Sequence, residues 1–283
     1  MKTLKESLDL ERIELDLFRG FTADTDAPRI FGGQVIAQAL LAAYQTVDQR
    51  LCHSLHAYFI HPGDPKIPIL FEVDRARDGG SFTTRRVTAV QHGRQIFNLA
   101  ASFHVVEQGP EHQSPMPAVS SGPEALLESQ AALDAMRPPH ERSLIRIPSI
   151  LAPLEMCRLD RPAPGFTEQD RAPEQKIWMR AREPIPADPI WHQVVLAYAS
   201  DIALLATSLR PHGITLDKVF SASLDHAIWF HRPLDFNAWH LYALDSPSAS
   251  GARGFNRGEV FSRDGVLVAS MAQEGLLRIR GKS

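Results

Sequence analysis

Two long stretches of the chain are apolar on every side. The first, residues 34–44, follows Gly32 and Gly33 and contains almost only apolar and small residues. The second runs from His192 to about Leu209. A helix with no polar face is typical of a core position, so both stretches are predicted to be buried helices.

Strand-like segments follow each helix, and Gly, Asp and Pro residues separate them. The predicted strands of the first half are residues 55–60, 69–73, 83–90 and 96–106. Those of the second half are residues 222–230, 239–245, 254–262 and 266–278. Phe59-Ile60-His61-Pro62 and Phe230-His231-Arg232-Pro233 close the same strand in each half. A helix followed by four strands, found twice, indicates an internal duplication.

A proline-rich stretch separates the two halves. Residues 107–189 hold 14 of the 21 prolines, a density that disfavours regular structure. Three elements are still predicted in this region: a helix at residues 123–136 and strands at residues 154–158 and 176–182. At the other end, residues 1–19 are predicted to form a short amphipathic helix.

The predicted order of elements gives an α+β fold of two tandem modules, each with a long helix wrapped by an antiparallel sheet. The two sheets can join edge to edge and form one continuous sheet. A position in the concavity of the sheet explains why the helix at residues 34–44 lacks a polar face. The expected divisions are an N-terminal module at 1–110, a Pro-rich linker with a short helix at 111–175, and a C-terminal module at 176–283.

Composition excludes several classes of protein. The chain is 44% apolar and 22% charged with a formal net charge of −3, which does not favour bulk binding to nucleic acid. No apolar run approaches the roughly 20 residues of a membrane span, and early acids exclude a signal peptide. Cys52 and Cys157 fit no zinc or redox spacing. A cytoplasmic location is expected.

Asp201 is the first candidate for chemistry. It follows the apolar run Leu196-Ala197-Tyr198-Ala199-Ser200, and we expect it in mid-helix, where a charge is costly unless it is paired. Ser223 and Gln273 carry weaker signals by themselves, because a strand Ser or Gln is more often a neutral structural residue. Together the three side chains can hold and activate a water molecule. No Ser or Cys occupies a nucleophile-elbow context.

The 12 histidines do not predict a metal site. His53 and His56 are three residues apart on a predicted strand, so they face opposite sides, and no HxxxH spacing with an acid occurs. We therefore expect no metal and no cofactor. His53 is more simply a structural histidine, although contact with substrate stays open.

Several motifs, in order over nearly the whole chain, resemble the acyl-CoA thioesterase II family. In the first half they are Phe31-Gly32-Gly33-Gln34, His53-Ser54-Leu55-His56-Ala57-Tyr58-Phe59, Arg77-Asp78-Gly79-Gly80-Ser81-Phe82 and Ala101-Ser102-Phe103-His104. In the second half they are Tyr198-Ala199-Ser200-Asp201, the run from Asp225 to Pro233, Ala252-Arg253-Gly254-Phe255 and Gln273-Glu274-Gly275.

The resemblance implies a double hot-dog fold and hydrolysis of acyl-CoA to a fatty acid and free CoA. It carries a water-activating set over to Asp201, Ser223 and Gln273. The family more commonly has Thr at the second position, and Ser223 keeps the hydroxyl but loses a methyl group. The resemblance also implies a homodimer or homotetramer.

Substrate contacts are predicted from residue chemistry. A helix start offers backbone amides to an oxyanion, and either the first helix, at Gly33 and Gln34, or the second helix could supply them. Guanidinium groups suit the phosphates of CoA, and they follow Gly-rich turns at equivalent places in the two halves: Arg85, Arg86, Arg253 and Arg257. The acyl chain is expected in a tunnel lined by residues 34–44, 55–60, 194–197 and 204–205.

Two other functions are compatible with parts of the sequence. A hot-dog hydratase or dehydratase would act on the same acyl-CoA substrates, but it usually needs an Asp–His pair, and no His lies within four residues of Asp201. A non-catalytic acyl-CoA-binding protein would not need a buried acid.

Overall fold

The computed structural model describes residues 3–22, 27–136, 149–159 and 172–281. The α-helices of this part of the chain are α1 (Leu4–Leu8), α2 (Gly32–Tyr44), α3 (Pro123–Met136), α4 (Pro189–Ser200) and α5 (Leu204–Thr207). The strands are β1 (Leu10–Glu14), β2 (Leu17–Gly20), β3 (Leu51–Phe59), β4 (Ile69–Asp78), β5 (Phe82–Gln91), β6 (Arg94–His104), β7 (Leu154–Arg158), β8 (Glu174–Ala181), β9 (Val219–Ser223), β10 (Asp225–Phe230), β11 (His240–Ser250), β12 (Arg253–Ser262) and β13 (Leu267–Ile279).

All these strands belong to one antiparallel sheet. Its order is β1-β2-β4-β5-β6-β3-β10-β13-β12-β11-β8-β7, and β9 pairs with β13 beside β10. The two halves meet where β3 pairs with β10, with Asp225 opposite Tyr58 and Trp229 opposite Ser54. The prediction that the two sheets join edge to edge is therefore confirmed.

The helices α2 and α4 pack against each other inside the curved sheet. Every residue of α2 from Gly33 to Tyr44 is buried, and so is every residue of α4 from His192 to Ser200. The α2 helix also contacts β4, β5 and β6. Contact with sheet on one side and with the partner helix on the other explains why neither helix has a polar face, as the sequence predicted.

The N-terminal segment differs from its prediction. Helix α1 covers only Leu4–Leu8, with a capping box between Thr3 and Glu6, and the hairpin of β1 and β2 follows. Asp16 adopts a positive φ of 60° in the turn of this hairpin. Apolar residues spaced by two fit a strand better than a helix, so the prediction of one helix over residues 1–19 was wrong.

The second long helix is interrupted. Its first part ends at Ser200, Asp201 is the C-cap, and Ala203 adopts a left-handed conformation with a φ of 67° before α5 begins. Asp201 therefore lies at a helix end and not in mid-helix as expected. The predicted strand at residues 222–230 is likewise divided at Leu224 into β9 and β10.

The region between the halves contains the elements predicted for it, namely α3, β7 and β8. Part of the predicted linker lies outside the described residues. By length and composition alone, the stretch Pro189–His212 could cross a membrane, which the sequence analysis did not expect, but most of it is buried inside the protein. That burial is the property of a core helix, which agrees with the packing of α4 against α2.

Candidate active site

The three predicted catalytic side chains lie together. Asp201 stands at the end of α4, Ser223 at the end of β9 and Gln273 in β13. Gln273 Nε2 donates to Asp201 Oδ1 at 2.6 Å and lies 2.8 Å from Ser223 Oγ, while Ser223 Oγ donates to Asp201 Oδ1 at 3.3 Å. The pairing of β9 with β13 places Ser223 opposite Gly275, which brings Ser223 and Gln273 to the same point of the sheet.

The second carboxylate oxygen of Asp201 links the two modules. Gly33 N–H donates to Asp201 Oδ2 at 3.0 Å, and α2 has no side-chain cap of its own. Asp201 therefore caps α2 from the other module. The C-terminal end of its own helix disfavours the negative charge, but the N-terminal end of α2 favours it.

Gly32 and Gly33 make this approach possible. A Cβ atom at Gly33 would lie 2.3 Å from Tyr198 O, and one at Gly32 would lie 2.7 Å from Asp201 Oδ2. Neither space admits a side chain. The Gly-Gly pair thus permits the start of α2 to contact the end of α4, and this explains the Phe31-Gly32-Gly33-Gln34 motif in physical terms.

Gln273 has one polar atom without a partner. Its side chain is fully buried, and Oε1 has no hydrogen-bond partner among the described residues. A buried carbonyl oxygen left unpaired costs about 1–3 kcal/mol, so such an atom beside a carboxylate marks a place for a donor. A water molecule has the two O–H groups that Gln273 Oε1 and Asp201 can accept.

A cavity of about 800 Å³ opens next to this group. Asp201, Ser223 and Gly32 form part of its wall, and most of the remaining lining is apolar, including Phe59 and Leu205. The predicted tunnel lining agrees with the structure only in part. Val35, Phe59, Ile60 and Leu205 border the cavity, but Leu40 is completely buried in the core and does not, and neither do residues 194–197.

The predicted phosphate-binding arginines lie elsewhere. Arg85 is 1% exposed, and its guanidinium is bonded to Asp78, to Thr46 and to the carbonyls of Arg77 and Thr84. A group so enclosed stabilises the β4–β5 turn and is not accessible to a ligand, so Arg85 is withdrawn from the substrate-binding set.

The other three arginines are exposed but do not border the cavity. Arg253 pairs with Glu274 at 2.9 Å, and Arg257 pairs with Asp245. Arg86 is exposed on β5, opposite Asp74. The cavity lining does not reach these positions, and their contact with the CoA phosphates, which would lie at the far end of the substrate from the thioester, stays a prediction.

His53 and Gln34 have different surroundings. His53 Nε2 lies 2.8 Å from Ser102 Oγ, and the ring packs against Phe82 and His104 outside the cavity. Burial is the main reason that the pKa of His53 falls below its ordinary value. These contacts favour the structural interpretation. Gln34 borders the cavity, but its Nε2 donates to Phe21 O at 3.0 Å.

A buried network behind Asp201 was not predicted. His226 Nε2 lies 2.9 Å from Ser200 Oγ, and Tyr242 OH donates to Ser200 O at 2.6 Å. Burial lowers the pKa of His226 to about 4, so its ring is neutral at physiological pH. These contacts hold the residue before Asp201 and thereby the helix end. The sequence shows a His next to Asp225, but it does not show that the side chain of this His is buried.

The duplication would place a second site where α2 ends and α4 begins, but the described residues there form no equivalent of the Asp201 group. Tyr44 OH bonds Gln193 Oε1, Gln193 Nε2 donates to Cys52 O at 3.0 Å, and Cys52 N–H donates to Tyr44 OH at 2.8 Å. Asp188 caps its own helix by accepting from Ile190 N–H. The polar groups at this end of the described structure satisfy one another, and the duplication is therefore asymmetric.

Within the part of the chain that the structure describes, no three His, Cys, Asp or Glu side chains cluster as metal ligands would. The site consists instead of one carboxylate, one hydroxyl and one amide at the junction of two helix-and-sheet modules. The fold is found in a solved protein of unknown function with a hot dog fold from Alicyclobacillus acidocaldarius, which has a TM-score of 0.74 at 20% identity over 97% of each chain. The predicted double hot-dog fold is confirmed.

Two family descriptions match consecutive parts of the chain: "Acyl-CoA thioesterase N-terminal domain" over residues 22–104 and "Acyl-CoA thioesterase" over residues 160–276. The chain belongs to the acyl-CoA thioesterase family. It is 42% identical to human acyl-coenzyme A thioesterase 8, over 96% of this chain and 88% of that protein. It is 39% identical to acyl-CoA thioesterase 2 of Haemophilus influenzae, over 98% of both. An acyl-CoA thioesterase II from Mycobacterium marinum shares its structure with a TM-score of 0.80, at 39% identity over 98% of both chains.

Proposed function

We propose that this protein hydrolyses acyl-CoA thioesters to a fatty acid and free CoA, by direct attack of water held at Asp201, Ser223 and Gln273. The observation that carries this proposal is the unpartnered Oε1 of buried Gln273 next to the Asp201 carboxylate. The names of the full-length relatives support acyl-CoA as the substrate class.

Asp201 acts as the general base. Water donates one O–H to Asp201 and the other to Gln273 Oε1, so that its lone pair points toward the thioester carbonyl carbon. As the C–O bond forms, Asp201 receives the water proton. The tetrahedral intermediate then breaks its C–S bond, and the departing CoA thiolate takes the proton back from Asp201. No covalent acyl-enzyme is formed.

The start of α2 stabilises the oxyanion. Gly33 N–H is occupied by Asp201, and Gln34 N–H bonds to Phe31 O at 3.1 Å. Gly32 borders the cavity, and its N–H has no acceptor among the described residues. Its position at the positive end of the helix dipole suits a negative oxygen.

The alternatives open in the sequence gain no support from these contacts. A hydratase site would need a histidine at the carboxylate, but the side-chain contacts of Asp201 within the described structure are with Gly33, Ser223 and Gln273. The nearby His226 bonds Ser200 instead. A protein that only binds acyl-CoA does not need a carboxylate next to a buried amide oxygen that has no partner among the described residues.

The test is thiol release from a series of acyl-CoAs, from acetyl to palmitoyl, without added metal. Each methylene buried in the apolar cavity contributes about 0.8 kcal/mol, so kcat/KM should rise by up to about fourfold per methylene until the cavity is full. Leu205→Trp should shorten the preferred chain and leave acetyl-CoA turnover unchanged. A flat profile would refute the cavity as the acyl site, and activity lost to a chelator and restored by zinc would refute the metal-free mechanism.

We further propose that the protein self-associates and acts in the cytoplasm. Tyr58 and Trp229 are 58% and 37% exposed on the neighbouring strands β3 and β10, where the two modules join, and a second subunit placed over them would bury apolar surface. Cys52 and Cys157 are buried thiols that form no disulfide in the described structure, which agrees with a reducing compartment. Sedimentation should give an even multiple of 31.5 kDa; a single species of one chain at micromolar concentration would contradict self-association.

A further inference from the structure

The strand that carries Ser223 has one edge that no other strand covers in the described structure. On one side, β9 pairs with β13 along its whole length. On the other side the neighbour would be β3, but β3 ends at Phe59, whose N–H donates to Leu224 O at 2.9 Å. Residues 220–223 of β9 border the cavity. An uncovered strand edge presents backbone donors and acceptors that can pair with another extended chain.

The alternation of an antiparallel pair decides which groups point to that edge. Leu224 N–H donates across to Glu274 O at 2.9 Å, and Lys218 O accepts at 3.0 Å from the residue after β13. Even-numbered residues of β9 therefore bond to β13. It follows that Ser221 and Ser223 turn their N–H and C=O groups outward.

An exposed side chain of the other module contacts this edge from the side of the cavity. Arg29 Nη2 donates to Ser221 O at 2.6 Å, and its guanidinium lies 5.7 Å from the centre of the Phe220 ring. Arg29 is exposed and borders the cavity. The outward carbonyl of Ser221 therefore already accepts a donor from the cavity side, and an exposed side chain can give way to a ligand.

We propose that the outer edge of β9 binds the pantetheine arm of the CoA thioester as an added strand. This inference rests on the proposed function and extends it to the part of the substrate beyond the sulfur. Pantetheine contains two amides, and each has the N–H and C=O pair by which an extended peptide joins a sheet edge. Ser221 O would accept an amide N–H, and Ser221 N–H would donate to an amide carbonyl.

The dimensions of the arm fit this position. With the reacting carbonyl at Asp201 and Ser223, the two amide nitrogens lie roughly 4 Å and 9 Å from the sulfur along an extended arm. Ser221 is two residues from Ser223, which is about 7 Å along a strand. The two amides therefore bracket Ser221. When the arm displaces Arg29 from Ser221 O, the guanidinium remains at the rim and can donate to an amide carbonyl.

Ser221→Pro tests the edge without removing a bond to β13. Proline lacks the outward N–H, and Phe220 before it is already extended, so the strand can accept the ring. Ser221→Ala is the matched control, since it removes the hydroxyl and keeps the backbone donor. Thermal unfolding of both variants checks the fold. The substrates are octanoyl-CoA, octanoyl-pantetheine and the octanoyl thioester of 2-mercaptoethanol, which has no amide.

We expect Ser221→Pro to lower kcat/KM about tenfold for the two amide-bearing substrates, the effect of losing one hydrogen bond, and to leave the simple thioester unchanged. Ser221→Ala should keep the ratio of kcat/KM between the amide-bearing substrates and the simple thioester, because its backbone N–H remains. Equal loss on all three substrates, or no loss on any, would overturn the proposal.

A measurement on the unaltered protein removes any dependence on the folding of the variant. N-methylation of the pantetheine amides deletes the ligand N–H groups, and we expect a similar loss of kcat/KM; equal turnover of methylated and unmethylated substrates would overturn the proposal.

If the protein hydrolyses no thioester, the proposed function fails separately. Calorimetry with free CoA then decides the edge, because Ser221→Pro should weaken binding about tenfold and Ser221→Ala should not.

Discussion

Asp201→Asn should lower kcat about a hundredfold or more, the range expected when a general base is lost. Asparagine is nearly the same size and can still accept from Gly33 N–H, which now bonds Oδ2 at 3.0 Å. Its new amide would face Gln273 Nε2, but Gln273 can rotate its amide because Oε1 has no other partner. The fold should therefore survive while the proton acceptor is gone. Steady-state thiol release and thermal unfolding measure the two effects.

Asp188→Asn provides the matched control. Asp188 caps α4 by accepting from Ile190 N–H, and asparagine is an equally good N-cap, so the same chemical change should leave kcat unaltered. Ser223→Ala and Gln273→Ala should each cost less than the loss of Asp201, and the three losses should not add, because all act on one water. Full activity of Asp201→Asn would exclude this carboxylate as the base.

The general architecture was evident in the hydrophobic pattern because burial and periodicity are linked directly. An unbroken apolar run such as residues 34–44 can be stable only inside a core. The same reasoning fails where a helix ends. The break after Ser200 depends on the left-handed Ala203 and on the contact of Asp201 with α2, and neither a backbone conformation nor a contact between modules is visible in a local pattern.

Arg85 illustrates a signal that was present in the sequence. It lies two residues from Thr83 and two from Val87, and these three residues and Ala89 are all buried on the same face of β5. The period of a strand predicts that a residue in phase with Val87 and Ala89 faces the core. The proximity of a Gly-rich turn suggested a phosphate site instead, but the alternation is the stronger physical constraint. Arg86, out of phase, is exposed.

The site set could be assembled from the sequence only through the family resemblance. Asp201, Ser223 and Gln273 are separated by up to 72 residues, and no local rule brings them together. The structure shows why the uncommon Ser is sufficient: Ser223 Oγ contacts Asp201 Oδ1 and Gln273 Nε2 without the methyl group of Thr. The cavity and the uncovered edge of β9 depend on where β3 ends, which only the assembled sheet defines.

Gly33→Ala should destabilise the protein and reduce its activity, although alanine is the better helix former. In a helix interior the exchange would by itself favour folding by about 1 kcal/mol. Here the new Cβ would lie 2.3 Å from Tyr198 O, a backbone atom of α4 that cannot turn aside. Relieving this clash must separate α2 from α4, which overpacks the core at a typical cost of 1–3 kcal/mol and weakens the hydrogen bond from Gly33 N–H to Asp201. We therefore expect a net loss of about 2 kcal/mol in the free energy of unfolding.

The same exchange at Gly80 is the control, because a Cβ there meets nothing within 4 Å; Gly80→Ala should change the free energy of unfolding by less than about 0.5 kcal/mol. Denaturant unfolding measures the stability of both variants, and kcat/KM measures whether the Asp201 carboxylate keeps its position. In Gly33→Ala, the higher helix propensity of alanine raises the free energy of unfolding, and the larger effect of the backbone clash lowers it. A variant as stable and active as the original protein would mean that α2 and α4 can move apart at no cost, and that Asp201 does not depend on the start of α2 for its orientation.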